Sequence, residues 1–141
     1  MAGGIGGIVG INYGDIIENS YSKIKVENKS SKGLNFMNIG SICGKVYTGK
    51  INKSYGNLDE IIGESSYRGC IIGNINYAVD AEEPEFNDVY YSKGKNNFAV
   101  VGGNNHESIF GSKYTSATYY VNIFKLASKE YSSLNEFLNS F

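Results

Sequence analysis

The sequence predicts an all-β chain that folds as a parallel β-solenoid of three to four repeat coils with a short C-terminal capping helix. Three observations support this prediction: the composition, an internal repeat, and a helical pattern confined to the last residues. The chain of 141 residues contains 18 Gly, 12 Tyr and a single Pro, and it has no Trp. Gly, Asn and Ser favour turns, whereas Ile, Val, Tyr and Phe favour strands. A chain of this length corresponds to one domain.

A five-residue motif that ends in glycine occurs four times. The copies are Gly6–Gly10, Gly40–Gly44, Gly69–Gly73 and the more degenerate Phe98–Gly102, and their last residues are 34, 29 and 29 positions apart. Such periods are typical of solenoids, in which units too small to be stable alone stack into one core. We expect the glycines at tight corners, where Gly reaches positive φ without strain. The predicted repeat units are 1–34, 35–65, 66–95 and 96–126, followed by a cap at 127–141, all within one domain, 1–141.

A second shared element follows the glycine motif in the first three units. Tyr21, Tyr55 and Tyr90 occupy equivalent positions in it, so stacking of the units would align them in a row, called here the tyrosine row. Aromatic rows stabilise a stack by about 0.5–1.5 kcal/mol per ring pair, and they can also bind sugar rings. The tyrosine row is therefore a candidate ligand-contact surface, although structural stacking is the favoured interpretation.

The alternation of strand residues fails at one position of this element. Ile17, Asn19 and Tyr21 would share one face of a regular strand, yet the equivalents of Asn19 are Lys53 and Asp88. Either the strand bends at this position, or the face in question does not point to the core.

The end of the chain has a different pattern. The segment Ser133–Glu136 has the spacing of a helical capping box, and the apolar residues Leu134, Phe137, Leu138 and Phe141 fall on one helical face. We predict a short amphipathic helix that covers the open end of the solenoid, because exposed terminal edges invite aggregation.

The stretch from Gly6 to Ser22 resembles the GLUG motif, a repeat of large bacterial surface proteins that include adhesins and the non-catalytic regions of IgA-cleaving peptidases. The copies that begin at Gly40 and Gly69 resemble it more weakly and depart from it at Ser41 and Cys70. The resemblance implies a secreted or wall-attached bacterial protein at the cell surface, and it implies no catalytic residues. Together with the abrupt glycine-rich start, it suggests a fragment of a larger protein.

Nucleotide and metal chemistry find little support in the sequence. The opening glycines lack the third glycine of a dinucleotide fingerprint, since position 9 is Val9, and no Walker lysine follows. Cys43 and Cys70 form no CxxC, so two small buried hydrophobic residues are the favoured interpretation. His106 lies in a turn-like segment and is interpreted as an exposed loop residue. The sequence predicts no cofactor.

The densest acidic segment is an insert in the third unit, from Asp80 to Asp88. It could bind calcium, but it lacks the alternating aspartates of a calcium loop, so a solvated loop is favoured. Paired carboxylates of a polysaccharide-active enzyme need two acids about 5–10 Å apart across a cleft. The five acids of this insert share one loop, and hydrolysis is therefore a distant alternative.

Two functions remain from the sequence. The first is a non-catalytic stalk or spacer of a surface protein, with the other domains of the parent chain as partners. The second is an adhesin-type module that binds host glycan or protein through one face of the solenoid. The net charge of -1 and the mixing of 13 basic with 14 acidic residues argue against nucleic-acid binding. No apolar run is long enough to predict direct membrane insertion.

Overall fold

The computed structural model describes residues 3–27, 34–63, 65–76, 82–95, 97–104 and 123–141. The described strands are β1 (Gly3–Gly6), β2 (Val9–Glu18), β3 (Tyr21–Glu27), β4 (Leu34–Gly40), β5 (Cys43–Ile62), β6 (Ser65–Gly69), β7 (Ile72–Ile75), β8 (Glu85–Ser92), β9 (Val101–Asn104) and β10 (Lys125–Leu126). They are followed by the short helix α1 (Leu134–Leu138). The prediction of a mostly β chain is confirmed. Within the described residues, no helix is long and apolar enough to cross a membrane.

The strands form two sheets, and the described pairings are parallel. One sheet has the order β1-β4-β6, and the other has the order β10-β8-β5-β7-β9, with β2 and β3 paired to β5. Together the sheets curl into a half-barrel. The long strand β5 is central because it pairs with the first unit on one side and with the third unit on the other.

The pairing register aligns the copies of the glycine motif, as the repeat predicts. The glycines that open the motif pair across β1, β4 and β6: Gly6 with Gly40, and Gly40 with Gly69. One row of core residues runs through all four units: Val9, Cys43, Ile72, Val101. A second row runs through three units: Ile17, Ile51, Phe86. Full burial of one such aliphatic side chain contributes about 1.5–3 kcal/mol, so neighbouring units stabilise each other.

Both cysteines lie inside this core. Cys43 and Cys70 are free thiols with 0% exposure. Burial raises the pKa of Cys43 to about 12 and that of Cys70 to about 11. The interpretation of these residues as small buried hydrophobic groups is confirmed.

The failure of alternation in the second element has a clear cause, because the chain bends there. Asn19, Lys53 and Asp88 all have left-handed backbones, with φ of 51°, 46° and 53°. The bend allows Ile17 and Tyr21 to point to two different hydrophobic clusters on either side of it. Of the two alternatives that the sequence left open, the structure shows the first.

Substitution of Asn19 tests this bend. Asn19 is exposed, so Asn19→Val changes mainly the backbone preference, and we expect it to destabilise the fold by about 1–2 kcal/mol. Asn19→Gly should leave the stability unchanged or increase it slightly. Urea unfolding of the two variants measures the difference, and equal stabilities would show that the left-handed bend is absent.

The glycines of the motif are required for a different reason from the predicted one. The positive-φ glycines of the described chain are Gly14, Gly49, Gly63 and Gly94, none of which belongs to the motif copies. At Gly40, a Cβ atom would instead overlap the backbone carbonyl oxygen of Cys43, and the equivalent glycines meet the same obstacle. The prediction of positive φ at these corners is therefore wrong, and close approach of the backbone explains the glycines.

The departure from glycine at Ser41 is compensated within its own unit. In the first unit, Gly7 faces the hydroxyl of Ser22, and in the second unit the roles are exchanged, because Ser41 faces Gly56. Ser22 and Gly56 are register partners. The hydroxyl of Ser41 donates to the backbone oxygen of Cys70. In each unit one serine hydroxyl thus packs against one glycine at this contact, and the serine and the glycine exchange places between the two units.

This exchange predicts strong coupling between two positions. Gly56→Ala would drive its methyl group into the hydroxyl of Ser41, and overpacking of this kind costs about 1–3 kcal/mol. In the background of Ser41→Gly the same substitution should cost little, because the obstructing group is gone. A double-mutant cycle by chemical denaturation measures the coupling. Additive effects of the two substitutions would contradict this contact.

The predicted C-terminal helix is present, with Ser133 as its N-cap. The backbone N–H of Glu136 donates to the Ser133 hydroxyl at 3.1 Å. The carboxylate of Glu136 does not return to Ser133, as a full capping box requires, but accepts from the N–H of Ser132 at 2.8 Å. The helix also lies in a different place from the predicted one. It packs through Phe137 against the tyrosines of successive units rather than over an open end.

Candidate functional site

The structure places the three predicted tyrosines in register. Tyr21 pairs with Tyr55, and Tyr55 pairs with Tyr90, on adjacent strands. The rings of Tyr21 and Tyr55 are stacked, with centroids 5.3 Å apart and an interplanar angle of 17°. Strands in one sheet are about 4.8 Å apart, so this stacking follows from the register.

The C-terminal segment covers the tyrosine row. The ring centroid of Phe137 lies 5.7 Å from that of Tyr55 and 5.8 Å from that of Tyr90. Tyr131 packs edge-on against Tyr55 at 5.3 Å. The hydroxyl of Tyr21 donates to the backbone oxygen of Tyr131 at 2.7 Å. The segment therefore contacts the tyrosines of three units at once.

Tyr55 is enclosed by these contacts. Its side chain is 0% exposed, and its hydroxyl donates to the Ser92 hydroxyl at 2.7 Å. The backbone N–H of Tyr131 donates to the same hydroxyl at 3.4 Å. Burial raises the pKa of both Tyr55 and Tyr21. A ring without exposed surface presents no face to a sugar, so the geometry favours a stabilising role for the row.

Glu136 links α1 to the residues that precede it within the C-terminal segment. Its carboxylate accepts from the ammonium group of Lys129 at 2.6 Å and from both the N–H and the hydroxyl of Ser132. These hydrogen bonds lower the pKa of Glu136 to about 2, and the bond from Lys129 has the largest effect. The carboxylate is thus held in its charged form.

The lowered pKa of Glu136 predicts a pH dependence of this segment. A carboxyl with a depressed pKa in the folded state adds stability above its unfolded value of 4.5, and this contribution is lost as the pH falls towards about 2. We expect the protection factor of the Ser132 amide, which is its exchange rate corrected for the intrinsic pH dependence of amide exchange, to fall over this range. Glu136→Gln should remove the pH dependence of this protection factor, whereas Glu130→Gln, at an exposed position ahead of α1, should preserve it. An unchanged profile in Glu136→Gln would contradict this role.

The acidic insert borders a groove of about 500 Å³. The groove is lined by Gly14, Ile16, Thr48, Gly49, Lys50, Glu82, Glu83 and Glu85. Thr48 donates its hydroxyl to the backbone oxygen of Glu82 at 2.7 Å, and Lys50 forms an ion pair with Glu85 at 3.2 Å. In the part of the chain that the structure describes, no three His, Cys or acidic side chains are grouped so as to hold a metal ion. Asp80 lies outside the described residues, so the choice between the favoured solvated loop and the calcium site is not tested here.

A second aromatic pair, which the sequence analysis above does not include among the candidate residues, is partly exposed to solvent. The rings of Tyr13 and Tyr47 are stacked at 4.6 Å with an interplanar angle of 8°. Tyr13 is 66% exposed, and the ammonium group of Lys45 lies 4.9 Å from the ring centroid of Tyr47. A hydrogen bond from Lys45 lowers the pKa of Tyr47. The two tyrosines are 34 residues apart, which is the repeat spacing, so the same periodicity could have identified them.

The opening glycine stretch does not form a phosphate loop. A phosphate loop uses free backbone N–H groups at the start of a helix. Here the N–H of Gly7 donates to the backbone oxygen of Ser41 at 3.0 Å, and those of Ile8 and Val9 donate to that of Ile42. The element that follows is the strand β2. These N–H groups are therefore engaged between units rather than free to bind a phosphate. His106 lies outside the described residues.

Residues 1–27 match a protein family described as the GLUG motif. The matched span includes β1, β2 and β3, and it therefore contains the first glycine motif and the first tyrosine of the row. The resemblance found in the sequence is confirmed for this span. Neither a search of curated proteins nor a search of solved structures found a match to the chain.

Proposed function

We propose that this chain is a non-catalytic structural repeat module, a length of parallel β-solenoid that serves as a stalk or spacer in a secreted or cell-surface bacterial protein. The observation that supports this proposal is the register, which joins equivalent residues of successive units: Val9, Cys43, Ile72, Val101. In such an arrangement each unit is stabilised by its neighbours, so that adding units extends the module without a new fold. Its partners are the other domains of the parent chain.

The same register explains how the polar and aromatic groups are used. The N–H groups of the glycine corner donate to the next unit, the tyrosine row is stacked and covered, and Lys50 is paired with its register partner Glu85. Groups that a catalytic site would expose are here engaged in contacts between units. This use of the side chains supports a structural role.

Duplication of one unit tests the proposal. A second copy of residues 40–68, inserted directly after Arg68, preserves each junction because Gly40 and Gly69 are register partners. An additional stacked unit should raise both the midpoint and the m-value of denaturant unfolding, because it buries more surface in one cooperative structure. A scrambled insert of the same composition is the control. An m-value equal to that of the parent chain would show that the units do not stack as a solenoid.

Binding of host glycan or protein through the outer face is the second candidate, and the Tyr13–Tyr47 pair favours it. The pair forms a flat aromatic surface of which Tyr13 is largely exposed, and Lys45 lies beside it as a cationic group. Flat exposed rings suit the apolar faces of sugars. This site replaces the tyrosine row as the surface that a ligand could reach.

Titration with mucin-derived oligosaccharides, followed by NMR, distinguishes the two candidates. Loss of binding in Tyr13→Ala but not in Tyr67→Ala, which alters another exposed tyrosine, would support the glycan site. Binding that is unchanged in Tyr13→Ala would exclude it. If the oligosaccharides cause no chemical-shift change in the parent chain, the glycan-binding candidate is not supported and the stalk remains the proposed function.

A further inference from the structure

The stacked rings of Tyr13 and Tyr47 belong to successive units and meet at an irregular point of the β2–β5 pairing. The register shifts between Asn12 and Tyr13, so that Tyr47 is an additional residue of β5 at this point. The two ring centroids are 4.6 Å apart, and the ring planes differ by 8°. Two phenol rings of neighbouring units are therefore held in face-to-face contact.

The hydroxyl groups of this pair lie at the same end of the stack. Hydrogen bonding from Lys45, and to a smaller extent from Asn76 and Tyr13, lowers the pKa of Tyr47. Because a tyrosine side chain has only its hydroxyl for such a bond, the two hydroxyls are close to each other. The ring carbons beside the C–O bonds, which are the ortho carbons, are then close as well. These are the carbons at which oxidised phenols couple.

Tyr47 is also placed where an electron can be removed from it. The ammonium group of Lys45 lies 4.9 Å from its ring centroid. A nearby cation favours the deprotonated phenol, which gives up an electron more readily than the protonated form. Its partner Tyr13 is 66% exposed, so an oxidant in solution reaches the pair. The pair thus combines access from solvent with a hydroxyl that releases its proton easily.

The stacked pair Tyr21 and Tyr55 has neither property. Its rings are also nearly parallel, with centroids 5.3 Å apart. Tyr55 is 0% exposed, and its hydroxyl donates to the Ser92 hydroxyl at 2.7 Å. Burial raises the pKa of both tyrosines. This second pair is therefore an internal control, similar in stacking but protected from an oxidant.

From these contacts we infer that Tyr13 and Tyr47 form an oxidative cross-linking site, at which hydrogen peroxide and a haem peroxidase join the two rings as dityrosine. Each phenol loses one electron and one proton and becomes a phenoxyl radical. The radicals couple through a new C–C bond between their ortho carbons, and the hydrogen on each of these carbons moves to the phenol oxygen. The peroxide takes up the two electrons and the two protons and becomes two molecules of water.

The link joins two successive units covalently. It closes a loop between positions that are 34 residues apart, and such a link stabilises a fold by restricting the unfolded chain. The reaction uses the ring faces that already touch, so it does not depend on what packs against the outer face of Tyr13. The inference goes beyond the stalk role and rests neither on that role nor on glycan binding.

Treatment of the dilute full chain with a haem peroxidase and hydrogen peroxide tests the inference. We expect a monomer that has lost two hydrogen atoms and shows the fluorescence of dityrosine. After tryptic digestion, the link should join peptide 1–23, which contains Tyr13, to peptide 46–50, which contains Tyr47. Peptide 1–23 also contains Tyr21, so variants identify the residue that reacts. Tyr13→Phe and Tyr47→Phe should each abolish this link, whereas Tyr21→Phe should preserve it.

Absence of dityrosine from the monomer would overturn the inference, as would a link between peptides 1–23 and 46–50 that persists in Tyr13→Phe. So would a predominant link from 1–23 to 54–68, which contains Tyr55, because the buried pair would then be the one that reacts. Links formed only between molecules would have the same consequence. Circular dichroism verifies that each variant is folded.

The melting temperature of the purified linked monomer tests whether the link joins stacked units. We expect it to be higher than that of the unlinked chain, because the link restricts the unfolded state. Equal melting temperatures would contradict a link across the stack.

Discussion

Gly40→Ala is expected to destabilise the chain by at least about 4–5 kcal/mol, at the extreme of single substitutions. The added Cβ would overlap the backbone oxygens of Cys43 and Ile71 and would lie 2.8 Å from the backbone nitrogen of Gly73. These are main-chain atoms of two successive units, so no side chain can rotate to relieve the overlap. Domains are stable by only about 5–15 kcal/mol, so the variant should lose a large part of its free energy of unfolding. Circular dichroism and urea unfolding measure the loss.

Gly3→Ala is the matched control for this prediction. Its Cβ would lie 3.0 Å from the terminal methyl group of Met37, the flexible end of a side chain that can move away. We expect a change within about 0.5–1 kcal/mol. If Gly40→Ala were as stable as Gly3→Ala, the close backbone approach at the corners would be refuted, and with it the explanation of the repeated glycines.

Tyr55→Ala is expected to cost about 3–5 kcal/mol, the range for truncating a buried aromatic side chain. The ring is 0% exposed and contacts Tyr21, Tyr131 and Phe137. Its removal leaves a cavity at the point where three units and the C-terminal segment meet. Thermal and chemical unfolding measure the loss, and increased hydrogen exchange in 131–138 would show that the segment has detached.

Two control variants separate the contributions of Tyr55. Tyr55→Phe keeps the ring but leaves the Ser92 hydroxyl without its donor, so we expect a smaller loss of about 1–2 kcal/mol. Tyr13→Ala removes a stacked but exposed ring and should cost less than about 1 kcal/mol. Full stability of Tyr55→Ala would contradict a structural role for the tyrosine row and would return it to consideration as a ligand surface.

The sequence predicts the parallel stacking and its register because the glycine motif marks the same corner in each unit. The motif copies align Gly6, Gly40 and Gly69 in the sequence, and the structure pairs these three glycines on adjacent strands. The physical reason for these glycines could not be found in this way. Positive φ and close backbone approach select the same residue, and only coordinates distinguish them.

The bend at Asn19, Lys53 and Asp88 was visible in the sequence only as a failure of alternation. Asn and Asp tolerate a left-handed backbone, so Asn19 and Asp88 are compatible with a bend. Lys53 at the equivalent position has no such preference, and the three residue types together therefore do not predict a left-handed backbone. Local propensity is a weak guide where the packing of neighbouring strands determines the backbone.

The candidate site was predicted in part. The positions of Tyr21, Tyr55 and Tyr90 follow from the repeat, whereas their burial depends on Phe137, which lies far away in the sequence. A contact between segments so distant leaves no periodic signal. The pair Tyr13 and Tyr47 does follow the repeat spacing, so the repeat predicts it as well as the tyrosine row.

The in-register stacking of the units is tested most directly by spin labels on one outward-facing row. Ile16 pairs with Lys50, and Lys50 pairs with Glu85, and all three residues are exposed. Labels on cysteines introduced at these positions avoid Cys43 and Cys70, which are buried with raised pKa values. The variant Ile16→Cys/Lys50→Cys should show strong dipolar broadening from backbones about 5 Å apart, and Ile16→Cys/Glu85→Cys should show weaker broadening from backbones about 10 Å apart. Narrow spectra for both variants, with the protein folded, would contradict the stack.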